Sequence, residues 1–248
     1  MRVRMPVAVV VAVAAAVGIP VSPASAALPG VPIRIVGGGP AGPAPYLAQV
    51  FDVRPAQGDV FQCGGTLVAD SWVLTARHCL ADAGETTAIR IGRTELGGGT
   101  RIAVDESRTP PAAGDVALLH LAAPVDIAPV GLASTDPALP THGTMYGWGA
   151  EAAEAPGQPP VMSPVLKQAS TFIFTDENAD GDGGPGLSSW SLGGTGAGYK
   201  GDSGGPLIVD GTQVGVISTS VGAPRSDGFN DHASVARNRD WIRSVTGA

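Results

Sequence analysis

The sequence is poor in cysteine, in charged residues and in long apolar runs. Charged residues make up 15% of the chain against 44% apolar residues, and a chain with that much apolar material for a core is not disordered. Beyond its first 26 residues the chain has no apolar run near the ~20 residues of a membrane-spanning helix, so we expect the mature protein to be soluble. No fixed-period repeat is present either.

Basic residues are scarcer than acidic ones, with 15 lysines and arginines against 22 aspartates and glutamates and a formal charge of −7. The first 34 residues carry only basic charges, at Arg2, Arg4 and Arg34, so their removal makes the chain more acidic still. An acidic surface disfavours nucleic acid and anionic membranes as partners. The glycine-rich stretch around Lys200 lacks the G-x-x-x-x-G-K-[ST] spacing, which excludes a phosphate-binding loop.

The start of the chain has the three parts of a secretory signal peptide. Arg2 and Arg4 form a positive region, residues 7–19 are an uncharged apolar run, and Ala24-Ser25-Ala26 matches a small-residue cleavage site. We therefore predict cleavage after Ala26 and an extracellular location. A membrane anchor is the alternative, and the apolar run is shorter than the ~20 residues that it would need.

The two cysteines of the chain, Cys63 and Cys79, allow a single pairing. Export would place them where disulfides persist, so we predict a bridge, with two free buried thiols as the alternative. A bridge that closes a loop of about 15 residues would stabilise the fold by about 3 kcal/mol.

Short β-rich segments follow one another along the chain, with Gly, Pro and Asp between them. They cover residues 46–52, 60–68, 72–76, 88–92, 100–105, 116–121, 143–149, 165–174, 206–209 and 213–219. Many short strands at this spacing, in a chain with 36 glycines and 22 prolines, predict an all-β barrel or sandwich. Apolar residues at helical spacing predict one helix at about 235–246. Residues 150–160 and 176–198 are predicted to be irregular loops.

Three motifs carry the residue types of nucleophilic catalysis. Glycines around Ser203 let the backbone turn sharply, so that the hydroxyl stands beside main-chain N–H groups. His78 ends an apolar segment, and Asp115 begins another, where a buried carboxylate would need a hydrogen-bonding partner. Each motif alone is weak evidence, because turns use the same residue types.

Taken together, in the order His, Asp, Ser, these motifs resemble the chymotrypsin/trypsin-type serine endopeptidases from residue 35 onward. The matching segments are Ile35-Val36-Gly37-Gly38, Cys63-Gly64-Gly65-Thr66-Leu67-Val68, Thr75-Ala76-Arg77-His78-Cys79, Asp115-Val116-Ala117-Leu118-Leu119, Gly147-Trp148-Gly149, Gly201-Asp202-Ser203-Gly204-Gly205-Pro206 and Asp240-Trp241-Ile242. The resemblance implies two six-stranded antiparallel β-barrels, one at about 35–140 and one at about 141–234, followed by the C-terminal helix.

By that resemblance, Ser203 is the nucleophile, His78 its general base and Asp115 the group that orients the base. The N–H groups of Gly201 and Ser203 would bind the developing oxyanion, and the substrate is a polypeptide. Two rival hypotheses stay open: a catalytically silent relative that binds a partner through the same fold, and an esterase with little activity on peptides.

Residues 27–34 resemble a short activation propeptide that ends at a basic cleavage site, Arg34. In the family, cleavage frees the amine of the next residue, here Ile35, which pairs with the acid before the serine, here Asp202. One new charge pair would then order the oxyanion loop. The resemblance therefore implies an activating protease, protein inhibitors as further partners, and a monomer.

The resemblance also places Ala197 and Gly198 at the floor of the primary specificity pocket and Ser218 and Ser220 in its wall. A floor without an acid would leave a buried Lys or Arg of the substrate unpaired. We therefore expect a small or apolar substrate residue before the scissile bond.

Three further charged residues bear on these expectations. Arg77 stands where the family usually has Ala, and a cation too close to His78 would lower the pKa of that histidine; we expect Arg77 to point outward. Either Asp227 or Asp231 would favour basic substrates if it entered the pocket.

One acidic segment matches the first half of a calcium-binding D-x-[DN]-x-[DN]-G loop, with Asp176, Asn178, Asp180 and Asp182 as candidate ligands. The twelfth position, where a bidentate Glu is expected, is Leu187. We favour a solvated acidic loop and an enzyme without a cofactor, with a structural Ca²⁺ as the alternative.

Overall fold

The computed structural model describes residues 35–36, 38–191, 196–221 and 227–248. The predicted signal peptide and propeptide, which end at Ala26 and Arg34, lie outside the described residues. Among the residues described, no helix has the length and apolar character that crossing a membrane requires.

The first half of the chain forms a closed barrel of six antiparallel strands. After a two-residue strand, β1 (Gly39–Pro40), the barrel strands are β2 (Leu47–Arg54), β3 (Gly58–Ala69), β4 (Trp72–Thr75), β5 (Thr86–Ile91), β6 (Thr100–Arg108) and β7 (Ala117–Leu121). They pair in the order β2-β3-β4-β7-β6-β5, and β5 closes the ring on β2, with Ile91 opposite Ala48. Closure leaves no unpaired strand edge in this barrel.

The second half forms a second ring of six antiparallel strands. A short strand β8 (Gly131–Leu132) precedes β9 (Thr141–Gly147), β10 (Lys167–Thr175), β11 (Gly186–Trp190), β12 (Pro206–Val209), β13 (Thr212–Val221) and β14 (Phe229–Ser234). The ring runs β9-β10-β11-β14-β13-β12 and closes where β12 pairs with β9. The predicted all-β double barrel is therefore confirmed.

Alternation of inward and outward side chains builds the barrel cores. In β10, Ala169, Thr171 and Ile173 are buried, whereas the intervening Ser170 is exposed. The core of the second barrel also holds Ile35, which is fully buried. The first described residue of the chain is thus packed inside the second barrel.

The predicted irregular loop over residues 176–198 is wrong for Gly186–Trp190, which is strand β11. The strand carries Ser188 and Ser189 instead of alternating apolar residues. Both serines are buried because they bond to side chains of β14, Ser188 to Asp231 at 2.6 Å and Ser189 to His232 at 2.8 Å. Pairing between distant strands satisfies these polar groups, so the apolar periodicity that marks a strand is absent.

The C-terminal helix begins later than predicted. A 3-10 turn covers Ala236–Asn238, and α1 runs over Arg239–Thr246. The helix ends at Gly247, whose left-handed backbone (φ 77°) suits glycine at this position. Ile242, the buried residue of α1, joins the larger apolar core.

Candidate active site

His78 lies in a 3-10 turn (Arg77–Cys79) that directly follows β4. Its neighbour Cys79 is bridged to Cys63 of β3, so the predicted disulfide is confirmed. Both cysteines are buried, and the bridge anchors the turn to the barrel wall. The imidazole itself stays accessible, with 45% of the side chain exposed.

Asp115 lies just before β7 and is only 2% exposed. Its Oδ2 is 2.7 Å from Nδ1 of His78, and its Oδ1 accepts the backbone N–H of the same residue at 3.1 Å. The two contacts fix both the ring and the backbone of His78 relative to one buried carboxylate.

Ser218 of β13 is a third partner of this pair. The resemblance assigned it to the pocket wall, but its hydroxyl donates to Asp115 Oδ2 at 2.5 Å. The side chain of Ser218 thus faces the carboxylate of Asp115, and the assignment of this residue to the pocket wall stays a prediction. No local sequence pattern predicts this contact, because it joins β13 of the second barrel to the residue before β7 of the first.

The electrostatics of the pair favour an ionised Asp115. Burial on its own would raise the pKa of Asp115, but the hydrogen bonds from His78 and Ser218 outweigh burial and lower the pKa. The hydrogen bond to Asp115 raises the pKa of His78, although burial opposes it, and the nearby carboxylate of Asp182 raises it further. An ionised Asp115 accepts from Nδ1–H, which leaves Nε2 of a neutral His78 free to accept a proton.

Arg77 does not depress the pKa of His78. Its guanidinium donates to the carbonyls of Pro110 and Ala112 at 3.1 and 3.3 Å and lies 3.4 Å from Oδ2 of Asp182. Arg77 is also not among the groups that shift the pKa of His78. The guanidinium of Arg77 is therefore bound by carbonyl groups of the loop that precedes Asp115.

Ser203 lies on a loop that is held between the two barrels. Its carbonyl accepts from Gly64 of β3 at 2.8 Å, and the next N–H, that of Gly204, donates to Ile217 of β13 at 2.8 Å. A Cβ on Gly204 would lie 2.2 Å from Oγ1 of Thr75, and its backbone has φ 77°. Only glycine fits there, which explains why the serine is followed by one.

Ser203 and His78 line the same cleft of about 340 Å³, together with Gly201 and the disulfide. Gly201 has φ 90°, so its peptide turns sharply before the serine. Within the described part of the chain, neither the N–H of Gly201 nor that of Ser203 donates to another protein group. Both donors are therefore available to an oxygen atom bound in the cleft.

Asp202, the acid before the serine, is completely buried. Its two oxygens accept the N–H groups of Gly149 at 2.8 Å and Tyr199 at 3.0 Å. A Cβ on Gly147 would lie 2.1 Å from this carboxylate, so the Gly-Trp-Gly motif leaves the space that Asp202 fills. Burial raises the pKa of Asp202 to about 7, because backbone N–H groups alone do not replace its hydration.

The segment that begins at Ile35 runs beside the predicted pocket floor. Val36 forms an isolated bridge with Ala197, whose N–H donates to the Val36 carbonyl at 2.9 Å. Ala197 is buried and carries no charge. The side chain of Asp231, which could have reversed the expected specificity, bonds to Ser188 at 2.6 Å.

Asn230 of β14, which the sequence analysis did not single out, contacts two of the predicted pocket residues. Its Oδ1 accepts from the N–H of Gly198 at 3.0 Å and from the hydroxyl of Ser220 at 3.1 Å, and the residue is fully buried. The amide thus joins the predicted floor to the predicted wall. Recognition of β14 as a strand antiparallel to β13 would have pointed to it.

The four candidate calcium ligands bond to other groups of the protein. Three of the side chains have other partners: Asp176 pairs with Arg237 at 3.1 Å, Asn178 donates to Ser188 at 2.6 Å, and Asp182 lies 3.4 Å from Arg77. Asp180 accepts backbone N–H groups with both oxygens. Calcium needs several oxygens that converge on one point, and these side chains are turned to separate partners.

The fold and the site agree with comparisons to known proteins. The sequence profile of the family described as Trypsin matches residues 35–242. Brachyurin from Leptuca pugilator is 34% identical over 215 residues, which is 76% of this chain and 89% of brachyurin. Trypsin 5G1 from Aedes aegypti is 32% identical over 243 residues, covering 86% of this chain and 85% of that protein.

A solved structure gives the same result. Neuropsin, a serine protease expressed in the limbic system of mouse brain, superposes with a TM-score of 0.66 at 25% identity, over 81% of this chain and 93% of neuropsin. The double barrel thus defines a chymotrypsin-like serine protease domain. The chain belongs to the trypsin family of serine endopeptidases, which hydrolyse polypeptides.

Proposed function

We propose that this protein is a secreted serine endopeptidase in which Ser203 is the nucleophile, His78 the general base and Asp115 the group that orients the base. The observation that carries this assignment is the 2.7 Å contact between His78 Nδ1 and Asp115 Oδ2, in a cleft that Ser203 also lines. The predicted signal peptide at residues 1–26 supports secretion.

The reaction follows from these groups. Oγ of Ser203 attacks the carbonyl carbon of the scissile peptide while Nε2 of His78 takes the hydroxyl proton. The N–H groups of Gly201 and Ser203 bind the oxyanion of the tetrahedral intermediate. His78 then protonates the leaving amine, which leaves an acyl-enzyme, and a water activated in the same way releases the acid. Asp115 stabilises the imidazolium throughout.

The experiment that tests this assignment compares S203A with S107A, a matched serine change on the exposed face of β6. We expect S203A to lose hydrolysis of casein and of a peptide ester, and S107A to keep it. Undiminished turnover by S203A would refute the assignment. Hydrolysis of the ester without hydrolysis of casein would favour the rival esterase.

We also propose that the chain is a zymogen, activated by cleavage between Arg34 and Ile35. The support is a buried acid without a cationic partner among the described residues: the carboxylate of Asp202 accepts the backbone N–H groups of Gly149 and Tyr199, and its pKa is raised to about 7. A new ammonium at Ile35 would supply the missing charge and hold the serine loop. R34Q should remain uncut and inactive, whereas R34K should still be processed; full activity of uncut R34Q would contradict this proposal.

For primary specificity, we propose a small or apolar residue before the scissile bond. The uncharged Ala197 and the amide of Asn230, which bonds to both Gly198 and Ser220, support a pocket in which these residues offer no carboxylate to a basic side chain. A panel of Arg, Phe, Leu and Ala chromogenic substrates tests it. N230A should raise turnover of the Phe substrate relative to Ala; a clear preference for Arg by the unmodified enzyme would refute the proposal.

The partners proposed are those of a monomeric extracellular protease: a polypeptide substrate, an activating protease and protein inhibitors. No cofactor enters the proposed reaction, because the chain itself supplies the nucleophile, the base and the oxyanion donors.

A further inference from the structure

The loop between β10 and β11 folds back against the residue that orients the catalytic base. Asp180 of this loop is 6% exposed, and its Oδ2 accepts the backbone N–H of Asp115 at 2.8 Å. Its Oδ1 accepts the N–H groups of Asp182 at 3.0 Å and Gly184 at 2.8 Å. No basic side chain in the described part of the chain pairs with it, so the buried carboxylate is held by three N–H donors.

The next residue of the loop, Gly181, is linked to the side-chain carboxylate of Asp115 through Ser218. The N–H of Gly181 donates to Oγ of Ser218 at 2.9 Å, and that hydroxyl donates to Oδ2 of Asp115 at 2.5 Å. A Cβ on Gly181 would lie 2.8 Å from the same hydroxyl, so the loop backbone is in direct contact with it. Two consecutive loop residues therefore hold Asp115, one at its main chain and one through its carboxylate.

The main-chain bond matters because Asp115 precedes the regular part of β7, which begins at Ala117. The N–H of Asp115 has no partner in the strand ladder, and a buried N–H without a partner would cost free energy. The side chain of Asp180 supplies the acceptor. It thereby fixes the backbone from which the carboxylate is aimed at His78.

We propose that Asp180 is a positioning residue of this protease, which keeps the carboxylate of Asp115 aligned with Nδ1 of His78. The proposal rests on the triad assignment made above. It gives the acidic loop a function in the peptidase reaction: Asp180 acts on the substrate only through Asp115 and His78. A displacement of about 1 Å at a reacting group can cost about 100-fold in rate, so a backbone bond this close to the triad is expected to affect turnover.

The test is D180N in the processed enzyme. An Asn side chain offers one acceptor oxygen, so it can serve either the loop N–H groups or the N–H of Asp115, and its amide NH₂ must face the other donor. The matched control is D176N, which removes the same charge from the same loop at a residue that pairs with Arg237 on the surface.

The measurements are the number of active sites labelled by a fluorophosphonate probe, kcat and KM per labelled site, and the acid limb of kcat/KM. We expect D180N to lower kcat per site by about 10- to 100-fold with KM within about twofold. The acid limb should shift to lower pH, because a looser bond to Asp115 lowers the pKa of His78. Asp182 is the other carboxylate that raises the pKa of His78, and its N–H bonds to Asp180, so D182N is measured beside D180N and should shift the acid limb without the loss of kcat. D176N should match the unmodified enzyme.

The proposal is overturned if D180N reduces thermal stability or the number of labelled sites while kcat per site and the acid limb stay as in the unmodified enzyme. If D180N yields no labelled sites, D180A, which puts no donor against the N–H of Asp115, is measured in the same way. If neither variant yields labelled sites, Asp180 is required for folding of the active site, and the proposal is also overturned. If Ser203 of the unmodified enzyme is not labelled, the triad assignment itself has failed, which is a distinguishable result.

Discussion

The buried carboxylate of Asp202 makes a quantitative prediction for the uncut chain. With Ile35 still joined to Arg34 there is no ammonium at Ile35, and within the described ranges the carboxylate of Asp202 accepts the N–H groups of Gly149 and Tyr199 alone. The D202N change removes the charge at similar volume. In D202N, the free energy of unfolding should no longer contain the pH dependence that the titration of Asp202 causes.

The magnitude follows from the pKa. Burial raises the pKa of Asp202 from 3.8 to about 7, and one pKa unit corresponds to about 1.4 kcal/mol. Keeping the carboxylate ionised therefore costs the uncut fold about 4 kcal/mol at neutral pH. The pKa of Asp202 is higher in the folded chain than in the unfolded chain. The stabilisation that comes from protonating Asp202 is therefore fully present below pH 3.8 and is lost progressively as the pH rises to about 7.

The assay is urea unfolding between about pH 4 and about pH 8, in an S203A background that prevents autolysis. Uncut S203A should lose about 4 kcal/mol across this range relative to uncut S203A/D202N, since all other titrating groups are shared. S203A cut after Arg34 by an added protease should lose far less, because the ammonium of Ile35 then pairs with Asp202. Equal pH dependence of the two uncut chains would falsify the reasoning.

The remaining predictions concern the triad, the disulfide and metal dependence. D115N should lower kcat by about 10⁴-fold, the loss that this change causes in the chymotrypsin-type triad. It should also move the acid limb of kcat/KM to lower pH, because the bond to Asp115 is the largest cause of the raised pKa of His78; an unmoved limb would contradict the assignment. Replacing both Cys63 and Cys79 by Ala should lower the free energy of unfolding by about 3 kcal/mol, and an unchanged urea midpoint would refute this. EDTA should leave the melting temperature unchanged. A fall of several degrees that added Ca²⁺ reverses would instead support calcium binding by the acidic loop.

The sequence predicted those site residues whose local conformation is determined by their neighbours in the chain. Ser203 and His78 stand out because each is fixed by its immediate neighbours: glycines that allow a sharp turn in one case, an apolar strand and a disulfide in the other. An all-β barrel or sandwich could be predicted as well, because most of the strands are short apolar segments between turn residues, and the resemblance to the family implied the two barrels.

The parts that were missed depend on contacts between distant strands. Asn230 meets the predicted pocket residue Ser220 only through the pairing of β14 with β13, and β14 lacks the apolar alternation that would identify it as a strand. The bond from Ser218 to Asp115 was missed because the two residues are 103 positions apart in the sequence. Asp180 was assigned to a solvated acidic loop, with calcium binding as the alternative, because a short acidic motif does not reveal which backbone N–H groups its carboxylate will accept. These are three polar side chains whose roles are set by tertiary hydrogen bonds.

The central claim is that Ser203 is activated by His78, and covalent labelling tests it most directly. The processed enzyme is treated with a fluorophosphonate, digested and analysed by mass spectrometry, beside an H78A variant. The account predicts one adduct, on Ser203, that H78A forms far more slowly. An unlabelled Ser203, an adduct on another residue, or equal labelling of H78A would contradict it.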